Sequence, residues 1–346
     1  MIRIAALVTL LTSPVLVPYV SYAAAKPPAL HVVKNSRQLL AAAAAIGPAG
    51  GTISLAPGAY VIDKTITFTK VNMVNIVGSG WDTTIVRKGD GDAIAFVDCG
   101  FCAVQNLLIN GDSAAKSGSG IAFRGQSSSC KVDFCRICGF AESGVVFDGD
   151  PKAPQSSNTV SNCHFIGNLG DQLRSLNNND FYITGNQFGT HSKNPRTGCL
   201  LDHSSAGTYT MNYHWGNVNA FRMLNSNFNR IENNRFEESR ESGMVIGDEK
   251  GWCALHIVTG NTIHTNSKAK SGAYPAVIAT NAHAITFCTN QVFSWDANSV
   301  KHKSSLIFGA GCARWIVKDN IFGNNVESAL VYDEKAAHIV KDNLTN

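Results

Sequence analysis

One short phrase recurs along the chain: an apolar, β-prone run, then one or two Asn, then an aromatic or β-branched residue, then a small or polar turn. It reads Val104-Gln105-Asn106-Leu107-Leu108-Ile109, Val160-Ser161-Asn162-Cys163-His164-Phe165 and Ile183-Thr184-Gly185-Asn186-Gln187-Phe188. It returns as Ile231-Glu232-Asn233-Asn234-Arg235-Phe236 and Val258-Thr259-Gly260-Asn261-Thr262-Ile263. Three further copies follow, around Asn290, Asn320 and Asn343. A period of roughly 22 to 30 residues marks a solenoid, because units that short cannot bury a core alone and must stack on their neighbours. Period-2 alternation of Val, Ile, Phe and Thr with polar residues makes the repeating runs strands with one face turned inward. Asn after each strand suits a turn that needs a left-handed residue, and Asn side chains stacked coil upon coil can satisfy one another's amides.

The remaining features fit an exported all-β chain. Arg3, the apolar stretch Ile4 to Val20 and Ala23-Ala24-Ala25 have the charged, apolar and small-residue order of a signal peptide, so residues 1–25 are set apart and residues 26–346 are read as one solenoid domain, secreted or periplasmic. The formal net charge is +4 with no Lys/Arg run, which argues against nucleic acid or a membrane surface as partner. No later segment is apolar enough to span a bilayer. The ten cysteines are free to form disulfides in an oxidising compartment or to stack as buried thiols, and Cys99/Cys102 and Cys135/Cys138 also have metal or redox spacing without suitably placed His. Asn35 and Gln38 are spaced as a capping box ahead of the Ala-rich run Leu39 to Ile46, which Gly47-Pro48 ends. A short helix here would cap the open end of the stack.

That helix, then Gly51-Thr52-Ile53-Ser54-Leu55-Ala56-Pro57-Gly58-Ala59-Tyr60 and Ile76-Val77-Gly78-Ser79-Gly80-Trp81-Asp82-Thr83-Thr84-Ile85, resembles the opening of the pectate-lyase-like right-handed parallel β-helices. The resemblance implies a right-handed parallel β-helix with a short N-terminal capping helix. That superfamily includes polysaccharide lyases, glycoside hydrolases, sugar epimerases, fructan-cyclising fructotransferases, phage tailspikes and adhesins, so the fold does not choose the chemistry. The Asn-Thr-Asp, paired-Asp, Gly-His-Gly and Arg-Ile-Lys motifs of polygalacturonase-like hydrolases are missing. So is the pectate-lyase Trp-Ile-Asp-His phrase; Asp202-His203 follows Leu200-Leu201 without the Trp.

Charged and aromatic residues concentrate between Asp171 and Trp252. If Ile231 and Phe236 face the core, Arg235 and Glu237 share the outer face, roughly 7 Å apart. Glu238, Arg240 and Glu241 then fall in the next turn, and Asp248 and Glu249 in the one after. Paired carboxylates can divide acid and base work on a sugar when their environments separate their pKa values. A lyase also needs a cation beside the developing enolate, supplied by Arg235 and Arg240 or by Ca²⁺ held between carboxylates. The expected catalytic set is Glu237, Glu238, Asp248, Glu249, Arg235, Arg240 and His214. The expected polysaccharide-binding set is Tyr213, Trp215, Arg222, Trp252, Asp171 and Arg174, the last two as an outer-face ion pair. The leading expectation is a polysaccharide lyase. Resemblance to inulin fructotransferases implies instead a homotrimer that cyclises fructan without metal, with Glu237 and Asp248, or Glu238 and Glu249, as its carboxylate pair. A noncatalytic glycan-binding β-helix is the reading from a different class.

Overall fold

A computed structural model describes residues 29–190, 196–295 and 300–345; the signal-peptide segment lies outside the described residues. Each coil contributes three short strands. Thr208–Thr210, Tyr213–Trp215 and Phe221–Leu224 make one coil, and Arg230–Glu232, Arg235–Glu237 and Met244–Ile246 stack on them in parallel register. Repetition builds three parallel sheets of 13, 12 and 11 strands. The first opens with Ala29–Val33, the second with Gly58–Ile62 and the third with Ile66–Thr69. This is the expected parallel β-helix.

The core is a set of ladders, because in-register stacking puts the same side-chain position of successive coils one above the next. Phe68, Phe96, Phe123 and Phe147 stack at 5.1 to 5.3 Å between ring centroids, within the range where offset aromatic pairs are favourable. At the turn from first to second sheet, Asn186, Asn212, Asn234, Asn261, Asn290, Asn320 and Asn343 point inward. Each side-chain amide but the last donates to the carbonyl oxygen of the next Asn at 2.9 to 3.1 Å. Leu107, Cys135 and Cys163 fill the same inward position in earlier coils. The residue just before is the left-handed one, at φ 59° for Asn106, 54° for Met211 and 55° for Asn233. All ten cysteines are free thiols, and Cys99, Cys102 and Cys135 are turned into the core. Among the described residues no group of three or more His, Cys, Asp or Glu could hold a metal ion.

The N-terminal helix spans Ser36–Ala45, capped by Asn35, whose side chain accepts from the Gln38 N–H at 3.0 Å; Gln38 in turn accepts from the Lys34 N–H at 2.7 Å. Leu39 and Ala42 are its buried residues and join the core. It is the only α-helix among the described residues, and no described helix is long and apolar enough to cross a membrane.

Candidate functional site

Glu237 lies on the outer face of the second sheet, as alternation about the buried Phe236 requires, yet its side chain is only 9% exposed. Its neighbours cover it. Tyr213 donates its hydroxyl to Glu237 Oε1, Arg235 Nε donates to Oε2 at 2.6 Å, and His264 Nε2 lies 2.8 Å from the same oxygen. The Arg235 guanidinium lies 5.1 Å over the Tyr213 ring. Burial and the adjacent carboxylate push the Tyr213 hydroxyl up to about 12. Burial also holds His264 below its ordinary value, although the Glu237 carboxylate pulls the other way. Every oxygen of Glu237 is thus engaged, so the expected nucleophile or base is tied into a closed surface network.

Trp215 packs its indole over Gly189 of the preceding coil: a Cβ at position 189 would collide with Trp215 Cζ2. Gly189→Ala is therefore expected to dislodge the ring and cost about 2 kcal/mol, read as a change in tryptophan emission together with a lower denaturation midpoint. An unchanged emission spectrum would show that the ring is not pinned there.

Other expected site residues are dispersed. His214 is turned inward and fully buried, hydrogen-bonded through Nε2 to Tyr209 and stacked on Phe188 at 4.6 Å. The alternation that sends Tyr213 and Trp215 outward forces this, and it removes His214 from chemistry at the surface. Glu238 takes the left-handed position after the strand, at φ 55°, and pairs with Lys268 at 3.0 Å. Arg240 follows in the same turn. Asp248 and Glu249 lie past the far end of the third-sheet strand Met244–Ile246, where Asp248 accepts from the Lys250 and Gly251 N–H groups. The pairs Glu237/Asp248 and Glu238/Glu249 are thus held at opposite ends of that strand. Trp252 is 51% exposed in the turn beyond it, beside His283. Asp171 takes its hydrogen bond from the Thr197 N–H at 3.2 Å rather than forming the expected ion pair with Arg174.

Asp171, Arg174 and Arg222 do come together, over the third sheet. Two adjoining hollows of about 750 and 700 Å³ share Asp171, Arg174 and Arg196 and form one groove along the helix axis. Its floor is the second residue of successive strands: Val146, Arg174, Leu200, Arg222, Val245 and Ile278. Its rim comes from the preceding turns. The residue two before each strand gives Ser119, Ser143, Asp171, Thr197, Asn219, Ser242 and Pro275, and the residue three before gives Glu142, Gly170, Arg196, Val218, Glu241 and Tyr274. Asp171 is the one carboxylate in a column of neutral residues, and burial raises its pKa above the usual carboxylate value against the pull of Thr197, Arg174 and Arg196. Asn219 donates to Glu241 at 3.2 Å. Among the described residues, neither Arg174 nor Arg222 has a carboxylate within ion-pair distance.

Arg196, Tyr274 and the rim role of Glu241 escaped the sequence reading. Arg196 and Tyr274 stand alone in polar loops, and only their shared offset from a third-sheet strand signals that they line one edge.

Residues 119–292 match the family described as "Right handed beta helix region". No curated protein matches the chain in sequence. Among solved structures, the Dettilon tailspike protein superposes with a TM-score of 0.66 at 11% identity, over 88% of this chain and 63% of that one. The chain therefore spans less than two thirds of the tailspike's length. The A-module of the Azotobacter vinelandii mannuronan C-5 epimerase AlgE6 gives 0.65 at 15% identity, over 91% of this chain and 96% of the module. DFA-IIIase from Arthrobacter chlorophenolicus A6, in complex with GF2, gives 0.60 at 13% identity, over 93% and 97%. Identities this low establish likeness of fold.

Proposed function

The chain belongs to the right-handed β-helix family, and from that premise we propose that it is an exported carbohydrate-active enzyme that cleaves an anionic polysaccharide by β-elimination in the groove over the third sheet. The observation that carries this reading is the pair of outward guanidiniums without carboxylate partners, Arg174 and Arg222, beside the half-buried Asp171. Unpartnered cations on the floor of a groove attract an anionic chain, and a guanidinium holds a carboxylate by paired hydrogen bonds.

The reaction follows from these groups. Asp171, with its proton affinity raised by burial, takes the proton on the carbon next to a uronate carboxylate. Arg174, on the strand that follows Asp171, holds that carboxylate and offsets the negative charge that develops on it, while Arg222, two coils along, anchors the chain by a second carboxylate. The electrons form the C4–C5 double bond, the C4–oxygen bond breaks, and the departing glycosidic oxygen takes a proton from water in the open groove. Val146, Leu200, Val245 and Ile278 give sugar rings an apolar floor.

The same first step serves C-5 epimerisation, in which the proton returns to the opposite face. The near-complete overlap with a mannuronan C-5 epimerase module supports keeping that outcome open to test. Incubation with uronate polymers in deuterated water separates the two: elimination gives unsaturated ends that absorb in the ultraviolet, whereas epimerisation gives deuterium at C5 without them. Asp171→Asn is expected to lower either activity at least ~100-fold with an unchanged denaturation midpoint. Absence of both unsaturation and C5 exchange on every uronate polymer would overturn the proposal.

A further inference from the structure

The third sheet fixes the spacing at which the groove reads charge. Register pairs Arg174 with Leu200 and Leu200 with Arg222, so the two arginines stand on one column, two coils apart, with an apolar residue between them. Neighbouring strands are about 4.8 Å apart, which separates the two Cα atoms by about 10 Å. An extended 1,4-linked pyranose chain along the axis advances by close to one coil per sugar, roughly 5 Å. Two arginines two coils apart therefore meet every second sugar, and the sugar between them lies over Leu200. The same column continues as Val245 and Ile278 with no further cation.

Resting on the reading of the groove as an anionic-polysaccharide site, we propose that its ligand is an alternating polymer in which a uronate and an uncharged sugar follow one another. The uronate carboxylates dock on Arg174 and Arg222, and the uncharged ring presents its C–H face to Leu200. On the floor, a guanidinium under that middle ring would lack an anionic partner, whereas leucine complements it; Arg196, on the rim of the same coil, acts on the Asp171 carboxylate instead.

The test uses trisaccharides of equal length and equal charge that differ only in spacing: uronate–neutral–uronate against uronate–uronate–neutral, with affinity read by calorimetry on the intact protein. The first is expected to bind about tenfold tighter, the effect of one additional hydrogen bond between charged groups. Arg222→Gln is expected to erase that preference, and Leu200→Arg to erase it too, by supplying a cation at the middle sugar that raises the affinity of uronate–uronate–neutral to match. Polymers distinguish the source of the spacing. A uronate homopolymer of twofold symmetry also turns a carboxylate to the sheet at every second sugar, so tighter binding of the homopolymer than of the alternating copolymer would overturn the alternating assignment. Equal affinity for the two trisaccharides, or no affinity for either, would overturn the spacing itself. Retention of the spacing preference by a protein that neither eliminates nor exchanges the C5 proton would leave this inference standing while the catalytic proposal fails.

Discussion

Asn234→Ala is expected to destabilise the protein by about 4 kcal/mol, far more than its single amide suggests. In the intact ladder Asn234 Oδ1 accepts from both the backbone N–H and the side-chain amide of Asn212, at 2.9 and 3.1 Å. Its own amide donates to the Tyr209 carbonyl and to Asn261, each at 3.0 Å. Asn212 and Asn234 are 1% and 2% exposed, so water does not replace the lost acceptor. Two buried donors on Asn212 are left unsatisfied, at roughly 1 to 3 kcal/mol each, and an atom-sized void is added. Asn343→Ala, at the half-exposed last rung, removes the same two contacts from Asn320 but opens a site that water can enter to replace them, and is expected to cost about 1 kcal/mol or less. Urea unfolding of the two variants, with amide exchange at Asn212, measures the difference. Because a solenoid's coils unfold semi-independently, the exchange at Asn212 is the more direct reading. Equal losses at both positions would mean that the ladder adds no stability beyond the turns that carry it.

The ladder also shows how far the fold was legible. The repeating phrase merged two adjacent positions with different roles. Asn106 and Asn162 hold the left-handed backbone, whereas Asn186, Asn261, Asn290 and Asn320 face inward and carry the ladder. Both needs select Asn, one for its tolerance of positive φ and one for an amide that donates and accepts at once, and only Asn233-Asn234 shows them side by side. The coils whose left-handed residues are Phe134 and Met211 were missed for the same reason, because their backbone strain is borne by apolar side chains that look like strand. The outer face at Arg235 and Glu237 was legible, since one buried aromatic between two charged residues fixes the period-2 register. That the network around Glu237 is closed was not, because Tyr213 and His264 reach it from the coils on either side.

The groove was the least legible feature. Its three columns draw one residue at a time from separate coils joined by turns of unequal length, so no local window contains it. Asp171, Arg174 and Arg222 entered the reading as members of a charged region, and only the strand register assigns them to one surface. The same register explains why the carboxylates of the densest charged passage do not converge. Glu237 and Glu238 precede the third-sheet strand of their coil and Asp248 and Glu249 follow it, which sends them to different edges of the stack.

Acidification from pH 7.5 to pH 4 is expected to remove most of the protein's stability, and the cause lies among buried histidines rather than carboxylates. His214, His256 and His302 are each no more than 1% exposed. Burial drives the His214 pKa well below its ordinary value, that of His256 down to about 4 and that of His302 down to about 3, with His264 adding to the depression of His302. The Nδ1 atoms of His214 and His302 and the Nε2 of His256 have no partner, so nothing in place stabilises a charged ring. Between the unfolded pKa of about 6.5 and these folded values, the unfolded chain binds protons that the native state refuses. Stability therefore rises with pH across that window and falls as pH drops through it. It is full above about pH 6.5, and the decline levels off below the folded pKa values. Shifts of this size correspond to about 3 kcal/mol for His256 and somewhat more for His302, against the roughly 5 to 15 kcal/mol that holds a domain folded. Two substitutions isolate the effect while keeping the hydrogen bonds that these rings accept. His256 Nδ1 accepts from the Asn229 N–H at 3.1 Å, a place the shorter amide of His256→Asn can occupy. His302 Nε2 accepts from the Asn266 N–H at 3.0 Å, within reach of the longer amide of His302→Gln. The double variant is expected to unfold at a denaturant midpoint that changes much less between pH 7 and pH 4 than that of the unaltered protein. If both proteins lose stability over the same range and to the same extent, the acid sensitivity belongs to the carboxylates instead, and the buried rings are protonated in the native state at no cost.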